Sequence, residues 1–219
     1  MTGANVENGP LILDLAFPYR LLGDGDGGRG CLFLLHGSGV DETSMVALAR
    51  RMAPGAVLIA VRGRIPQEEG FRWFERITPT TFEQTSIHAE TAAFAAFAGQ
   101  AVARHGLDLN RVTFLGYSNG ANLVSSLMLL HPGIVRSAAL LRPMPVLDHV
   151  PAADLAGTRT LIIAGAADET YGPFAPALVT LLSRHGTEID ARIVPSGHEI
   201  GDPDAVIVRH WLAGSDVVT

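Results

Sequence analysis

An α/β fold, with a mostly parallel central sheet flanked by helices, is what this chain predicts, and three observations carry the prediction. Apolar runs of strand length recur at residues 31–35, 57–61, 111–115, 135–141, 160–164 and 189–194. Segments with helical spacing separate them, the alternation in which crossover helices join parallel strands. Of the 219 residues 47% are hydrophobic, enough to fill the core of a single domain spanning 1–219.

Each element has its own signal. Residues 12–22 read as a first strand or hairpin arm, which the glycine-rich stretch 23–30 turns toward the strand at Cys31. A helix over 43–52 leads to the strand 57–61. Residues 82–105 form a long Ala-rich helix with Ile87, Phe94, Phe97 and Ala101 on one stripe, stopped by Gly106. The β-branched run 111–115 is a buried parallel strand, and 121–131 a helix with Leu123, Leu127 and Leu130 at helical spacing. Helices over 172–185 and 203–212 complete the alternation, with no repeat, linker or low-complexity tail.

The chemistry concentrates where a strand meets a helix. Gly116-Tyr117-Ser118-Asn119-Gly120 is a G-x-S-x-G at a strand-to-helix junction, the turn that lifts a serine hydroxyl above a sheet. Side chains at Gly116 or Gly120 would collide with so tight a backbone. A serine there needs a base and an acid, which in this class follow it in the order Asp/Glu, then His. Asp168 lies just past the strand 160–164, and His198 in the loop after 189–194. Ser118, Asp168 and His198 thus leave the same edge of the sheet, where open α/β sheets carry their sites. Asp148, after the strand 135–141, competes with Asp168 for the acid, and His149 is the second candidate base. Asp168 is preferred for its closeness to its strand end and the glycine before it. The remaining histidines fall on or beside helices, or, for His36, at a strand end suited to anchoring a loop.

Acyl transfer also needs donors for an oxyanion. The backbone N–H of Asn119, following the serine, is one. The loop His36-Gly37-Ser38-Gly39 after the first apolar strand supplies the other, with Ser38 N–H preferred and Gly39 next.

These residues carry a resemblance. Leu35-His36-Gly37-Ser38-Gly39, Arg62-Gly63, Gly116-Tyr117-Ser118-Asn119-Gly120-Ala121-Asn122, Arg142-Pro143-Met144, Asp168 and Gly197-His198 resemble the phospholipase/carboxylesterase family of α/β-hydrolases. That family includes acyl-protein thioesterases and small bacterial carboxylesterases, and the Tyr-Ser-Asn-Gly-Ala-Asn form is closer to the bacterial branch. The resemblance implies an α/β-hydrolase fold without a large lid and a serine esterase with Ser118, Asp168 and His198 as its triad. Thioesterase, lysophospholipase or amidase chemistry on the same triad is the alternative. A non-catalytic ligand-binding member of the fold is another, which an ester-turnover assay separates.

Substrate signals are fewer. The insert 64–85 holds Phe71, Trp73, Phe74 and Arg76 with Glu68 and Glu69. Trp73 and Phe74 are candidates for one wall of a substrate pocket, with core packing as their other reading. Arg142 and Met144, past a strand end, are candidates for the opposite wall, and Arg142 has a carboxylate partner as its structural alternative.

The resemblance implies a small-molecule ester as partner, and composition narrows the alternatives. Sixteen basic against 22 acidic residues leave a net charge of −6 without a basic run, which disfavours nucleic acid and anionic membranes. One cysteine precludes internal disulfides and suits a reducing compartment. The first ten residues lack the basic and apolar regions of a secretion signal, and no apolar run reaches membrane-spanning length, so a cytoplasmic location is expected. Monomer and homodimer both remain open. The run Gly23-Asp24-Gly25-Asp26-Gly27-Gly28 satisfies a dinucleotide-binding pattern, but a strand follows it and its aspartates would repel phosphates. It also lacks the terminal Glu of a calcium loop. No cofactor and no metal are expected.

Overall fold

Side chains alternate across a strand, so each apolar run feeds two cores at once. The computed structural model describes residues 9–23, 30–67 and 69–214. Strands β1 (Tyr19–Leu22) and β2 (Cys31–Leu35) precede helix α1 (Val46–Met52), and β3 (Val57–Val61) follows it. Two hairpins come next, β4 (Ile65–Gln67) with β5 (Gly70–Arg72) and β6 (Arg76–Thr78) with β7 (Thr81–Phe82). Then come α2 (Gln84–Arg104), β8 (Val112–Tyr117), α3 (Asn119–Leu130), β9 (Ser137–Leu141) and β10 (Arg159–Gly165). Last are α4 (Ala175–Arg184), β11 (Glu188–Val194) and α5 (Asp202–Ala213).

Seven strands form the main sheet in the order β1-β3-β2-β8-β9-β10-β11. Among the described strands of this sheet only β1 runs antiparallel, pairing Tyr19 with Val61 at the β3 edge. On one face Phe33, Leu35, Phe114 and Leu140 pack under Phe94 and Phe97 of α2, Leu123 and Leu127 of α3 and Leu178 of α4. On the other, Leu32, Leu34, Leu115, Leu141 and Ile163 meet Val46 and Ala49 of α1 and Ala205 and Val208 of α5. The first face is aromatic, with Phe33 against Phe114 at 5.1 Å and Phe17 edge-on to Phe94 at 5.4 Å. Cys31, a buried free thiol, opens β2, and burial pushes its pKa up to about 12.

Element boundaries differ from expectation for local reasons. Residues 12–22 are not one strand: the chain bends at 14–17 to drive Phe17 into the aromatic core, leaving Ile12 a single bridge to Tyr19. The glycine-rich turn falls mostly on residues 24–29, outside those described. The first helix starts at Val46 because Asp41 holds 43–44 in a turn, accepting from Thr43 N–H and Oγ1 and, through its carbonyl, from Ser44 Oγ. The long helix starts at Gln84, where Glu83 caps the N–H groups of Thr85 and Ser86. The helix expected over 172–185 opens with a 3-10 turn at Gly172–Phe174. Among the described residues, no helix is long and apolar enough to cross a membrane.

Candidate active site

Ser118 sits between β8 and α3 with φ 51° and ψ −115°, a conformation disfavoured for a residue with a side chain. Its N–H is held by Leu141 O at 2.8 Å. A Cβ on Gly116 would lie 2.6 Å from the Ala121 backbone, and one on Gly120 would lie 2.1 Å from Leu35 O. Glycine at these two positions is what lets α3 turn back against β8 and the neighbouring β2.

Three side chains then form one line. His198 Nε2 lies 2.8 Å from Ser118 Oγ, and His198 Nδ1 lies 2.7 Å from Asp168 Oδ2. Asp168 is 6% exposed, and its other oxygen accepts the Tyr171 N–H at 3.0 Å. Burial pushes the Asp168 pKa up, but the bonds from His198 and the Tyr171 and Gly172 N–H groups outweigh it and hold the carboxyl below its ordinary value. An ionised Asp168 only accepts, so the proton between them sits on Nδ1 and leaves the Nε2 lone pair toward the serine hydroxyl. The Tyr171 ring lies 4.6 Å from the imidazole, and Tyr117 Oη donates to His198 O at 3.2 Å. The competing Asp148 is exposed, with its backbone N–H on Gln84 Oε1, and His149 is exposed beside it.

The oxyanion candidates separate by what they already bond. Gly39 N–H donates to Phe71 O at 2.9 Å and is therefore engaged, which leaves Ser38 as the candidate of that loop. Asn119 N–H belongs to the first turn of α3, where helical N–H groups have no intrahelical acceptor. The Asn119 side chain is buried, its Oδ1 accepting Trp73 N–H at 2.8 Å. His36 anchors the loop: Nδ1–H donates to Gly37 O at 2.6 Å and Nε2 accepts Gly63 N–H at 3.0 Å. Burial lowers its pKa and keeps it in that neutral form.

A cleft of about 200 Å³ opens over the serine, lined by Ser38, Arg72, Ser118, Asn119 and His198 on the polar side. Phe82, Pro79 and Met144 supply apolar wall, so Met144 is where the sequence placed it. Trp73 and Phe74 are not in it. Both are fully buried: Trp73 donates Nε1–H to His36 O and packs edge-on to Phe94, while Phe74 packs on Phe82. The insert folds back onto the aromatic core, and Phe82 rather than Phe74 reaches the cleft.

Arg142 lines the cleft, and its guanidinium is committed to protein partners. It is buried and bonded to Asp204 of α5 at 2.8 and 3.1 Å, to Ser196 Oγ, and to the carbonyls of Gly197 and Glu199. These contacts bracket His198, so Arg142 lines the cleft as expected and also braces the histidine loop through its carboxylate partner. Sequence reasoning missed Tyr171 and Arg72. Tyr171 had a weak signal three residues past Asp168, whereas Arg72, between Phe71 and Trp73, had none.

Among the described residues no cluster of three or more His, Cys, Asp or Glu side chains is placed to hold a metal ion. No family model matches the chain. A carboxylesterase crystal structure from Mesorhizobium loti is 81% identical to it, with a TM-score of 0.93 over 95% of this chain and 100% of that one. The chain belongs to the carboxylesterase family of α/β-hydrolases. The Bacillus cereus carboxylesterase is 25% identical, with a TM-score of 0.87 over 92% of this esterase and 96% of that chain. A Bacillus subtilis (strain 168) protein named as a hydrolase, MhqD, is 29% identical over 185 residues, covering 82% of the esterase and 90% of that protein.

Proposed function

We propose that this carboxylesterase hydrolyses small soluble carboxylic esters through an acyl-enzyme on Ser118. The observation that carries the reading is the unbroken line from Ser118 Oγ through His198 to an ionised Asp168, with bonds of 2.8 and 2.7 Å. His198 Nε2 takes the hydroxyl proton as Oγ bonds to the ester carbon, and the carbonyl electron pair moves onto oxygen. That oxyanion is met by the N–H groups of Ser38 and Asn119, each worth about 10²–10³ in rate. As the intermediate collapses the alcohol leaves with the proton from Nε2. Water, deprotonated by the same nitrogen, then releases the acid and restores the serine. Asp168 keeps the imidazole in the required tautomer and balances its charge when protonated. The single cysteine, buried as a free thiol, fits a cytoplasmic setting.

A fluorophosphonate probe tests the nucleophile. Ser118→Ala should abolish labelling and lower ester turnover by roughly 10⁴-fold with the thermal transition retained. Labelling that survives the substitution would assign the nucleophile elsewhere.

A further inference from the structure

We propose that the esters this site takes carry a carboxylate, and that Arg72 at the cleft wall binds it. The inference rests on the ester-hydrolase reading and narrows its substrate to short half-esters of dicarboxylic acids.

Two arginines are buried in the described structure, Arg142 at 2% and Arg72 at 5% exposure. Arg142 is matched by Asp204. Arg72 forms no ion pair among the described residues. Among those residues its Nε is buried without a hydrogen-bond partner, and Nη2 reaches only Ser38 Oγ, at 3.5 Å. Burial lowers the Arg72 pKa to about 10, a shift the Arg76 charge increases and Glu75, without an ion pair, partly offsets. The group remains a cation at neutral pH. An unmatched buried cation is costly to folding unless an anion pairs with it.

The placement says which anion. Arg72 lines the same cleft as Ser118 and His198, and its neighbour Ser38 is the candidate oxyanion donor, so a bound anion lies a few bonds from the reacting carbonyl. Exposed Arg76 lines that wall too, a local positive patch in a chain of net charge −6. A guanidinium fork matches a carboxylate with two parallel N–H···O bonds. The cleft, about 200 Å³, holds a short chain against Met144 and Phe82.

Hydrolysis of monomethyl succinate and methyl butyrate, followed by acid release, tests the proposal. Wild-type kcat/KM should favour the anionic ester by at least roughly tenfold, and Arg72→Gln should lower that ratio by about 10²-fold, mainly through KM. Arg72→Lys should recover part of it, since it keeps the charge and loses the fork. On wild type alone, free succinate should inhibit methyl butyrate turnover competitively, and butyrate much less. A neutral-ester preference, an unchanged ratio in Arg72→Gln, or equal inhibition by the two acids would overturn the carboxylate site while leaving the esterase intact. A faster ester of 3-phosphonopropionate would reassign the wall to phosphonates and phosphates. If wild type turns over neither ester and Ser118 takes no fluorophosphonate, the ester-hydrolase reading itself falls, and this inference with it.

Discussion

Ser118 is legible from the G-x-S-x-G turn that carries it, and Asp168 and His198 from lying just past apolar strands, at the same C-terminal edge of the sheet. The choice of acid yields a direct comparison. Asp168→Asn should lose turnover by several orders of magnitude, because Nδ1 then loses the acceptor that sets its tautomer, whereas Asp148→Asn should change kcat/KM by less than about twofold. Steady-state kinetics on the two variants decides it; an Asp148 effect as large would move the acid to the β9 loop. Carboxylates also set the acid limit of stability. Glu42 is 1% exposed; its burial opposes ionisation, but bonds from Arg62 and Arg20 hold it below its ordinary value of 4.5, as Asp168 lies below 3.8. A pKa depressed on folding contributes stability that is complete above the unfolded value and lost as pH falls through the folded one. Tm should therefore be level above pH 4.5 as regards Glu42 and fall below it, with a shallower acid slope in Glu42→Gln. An identical acid slope in that variant would refute the assignment. Arg72 and Tyr171 escaped the sequence because each matters through the face it presents, which neither residue type nor spacing reveals.

Strands were easier to read than the segments between them. A strand buried on both faces announces itself as an apolar run, as at Cys31–Leu35, while the insert 64–85 carries aromatics whether it folds inward or outward. Here it folds inward: Gly39 N–H donates to Phe71 O and Phe71 N–H to Val40 O, which sews β5 to the loop after β2. That seam buries Trp73 and Phe74 and turns Arg72 toward Ser38. A second seam joins α5 to the histidine loop through Arg142 and Asp204. Arg142→Met should destabilise the protein by about 3–5 kcal/mol, since it strands a buried Asp204 carboxylate. The double variant with Asp204→Leu should recover much of that stability while kcat stays low, because Ser196, Gly197 and Glu199 remain unbraced. Chemical denaturation beside kcat measurements separates the two effects, and recovery of kcat with stability would show that Arg142 acts on the fold alone.

At the scale of the molecule, the cleft is small, and Arg72, Arg76, Pro79 and Phe82 of the two short hairpins line it. Rates along a nitrophenyl ester series should peak at short acyl chains, with no jump above the micelle concentration of the longer ones. A maximum at long chains would mean that the groove extends past Phe82. Fold class was readable from alternation alone, but the cleft's shape depends on how the hairpins dock, a tertiary fact that no local pattern encodes. Cys31 has a consequence at this scale as well. The only thiol in 219 residues begins β2, an interior strand third of seven in the sheet, with its pKa pushed up to about 12. Almost no thiolate exists at neutral pH while the sheet is closed. The native enzyme should therefore react slowly with alkylating electrophiles that would inactivate a cysteine hydrolase. The rate at which such a reagent does attach counts how often the start of β2 opens, a clock for breathing that the chain carries without any label being added.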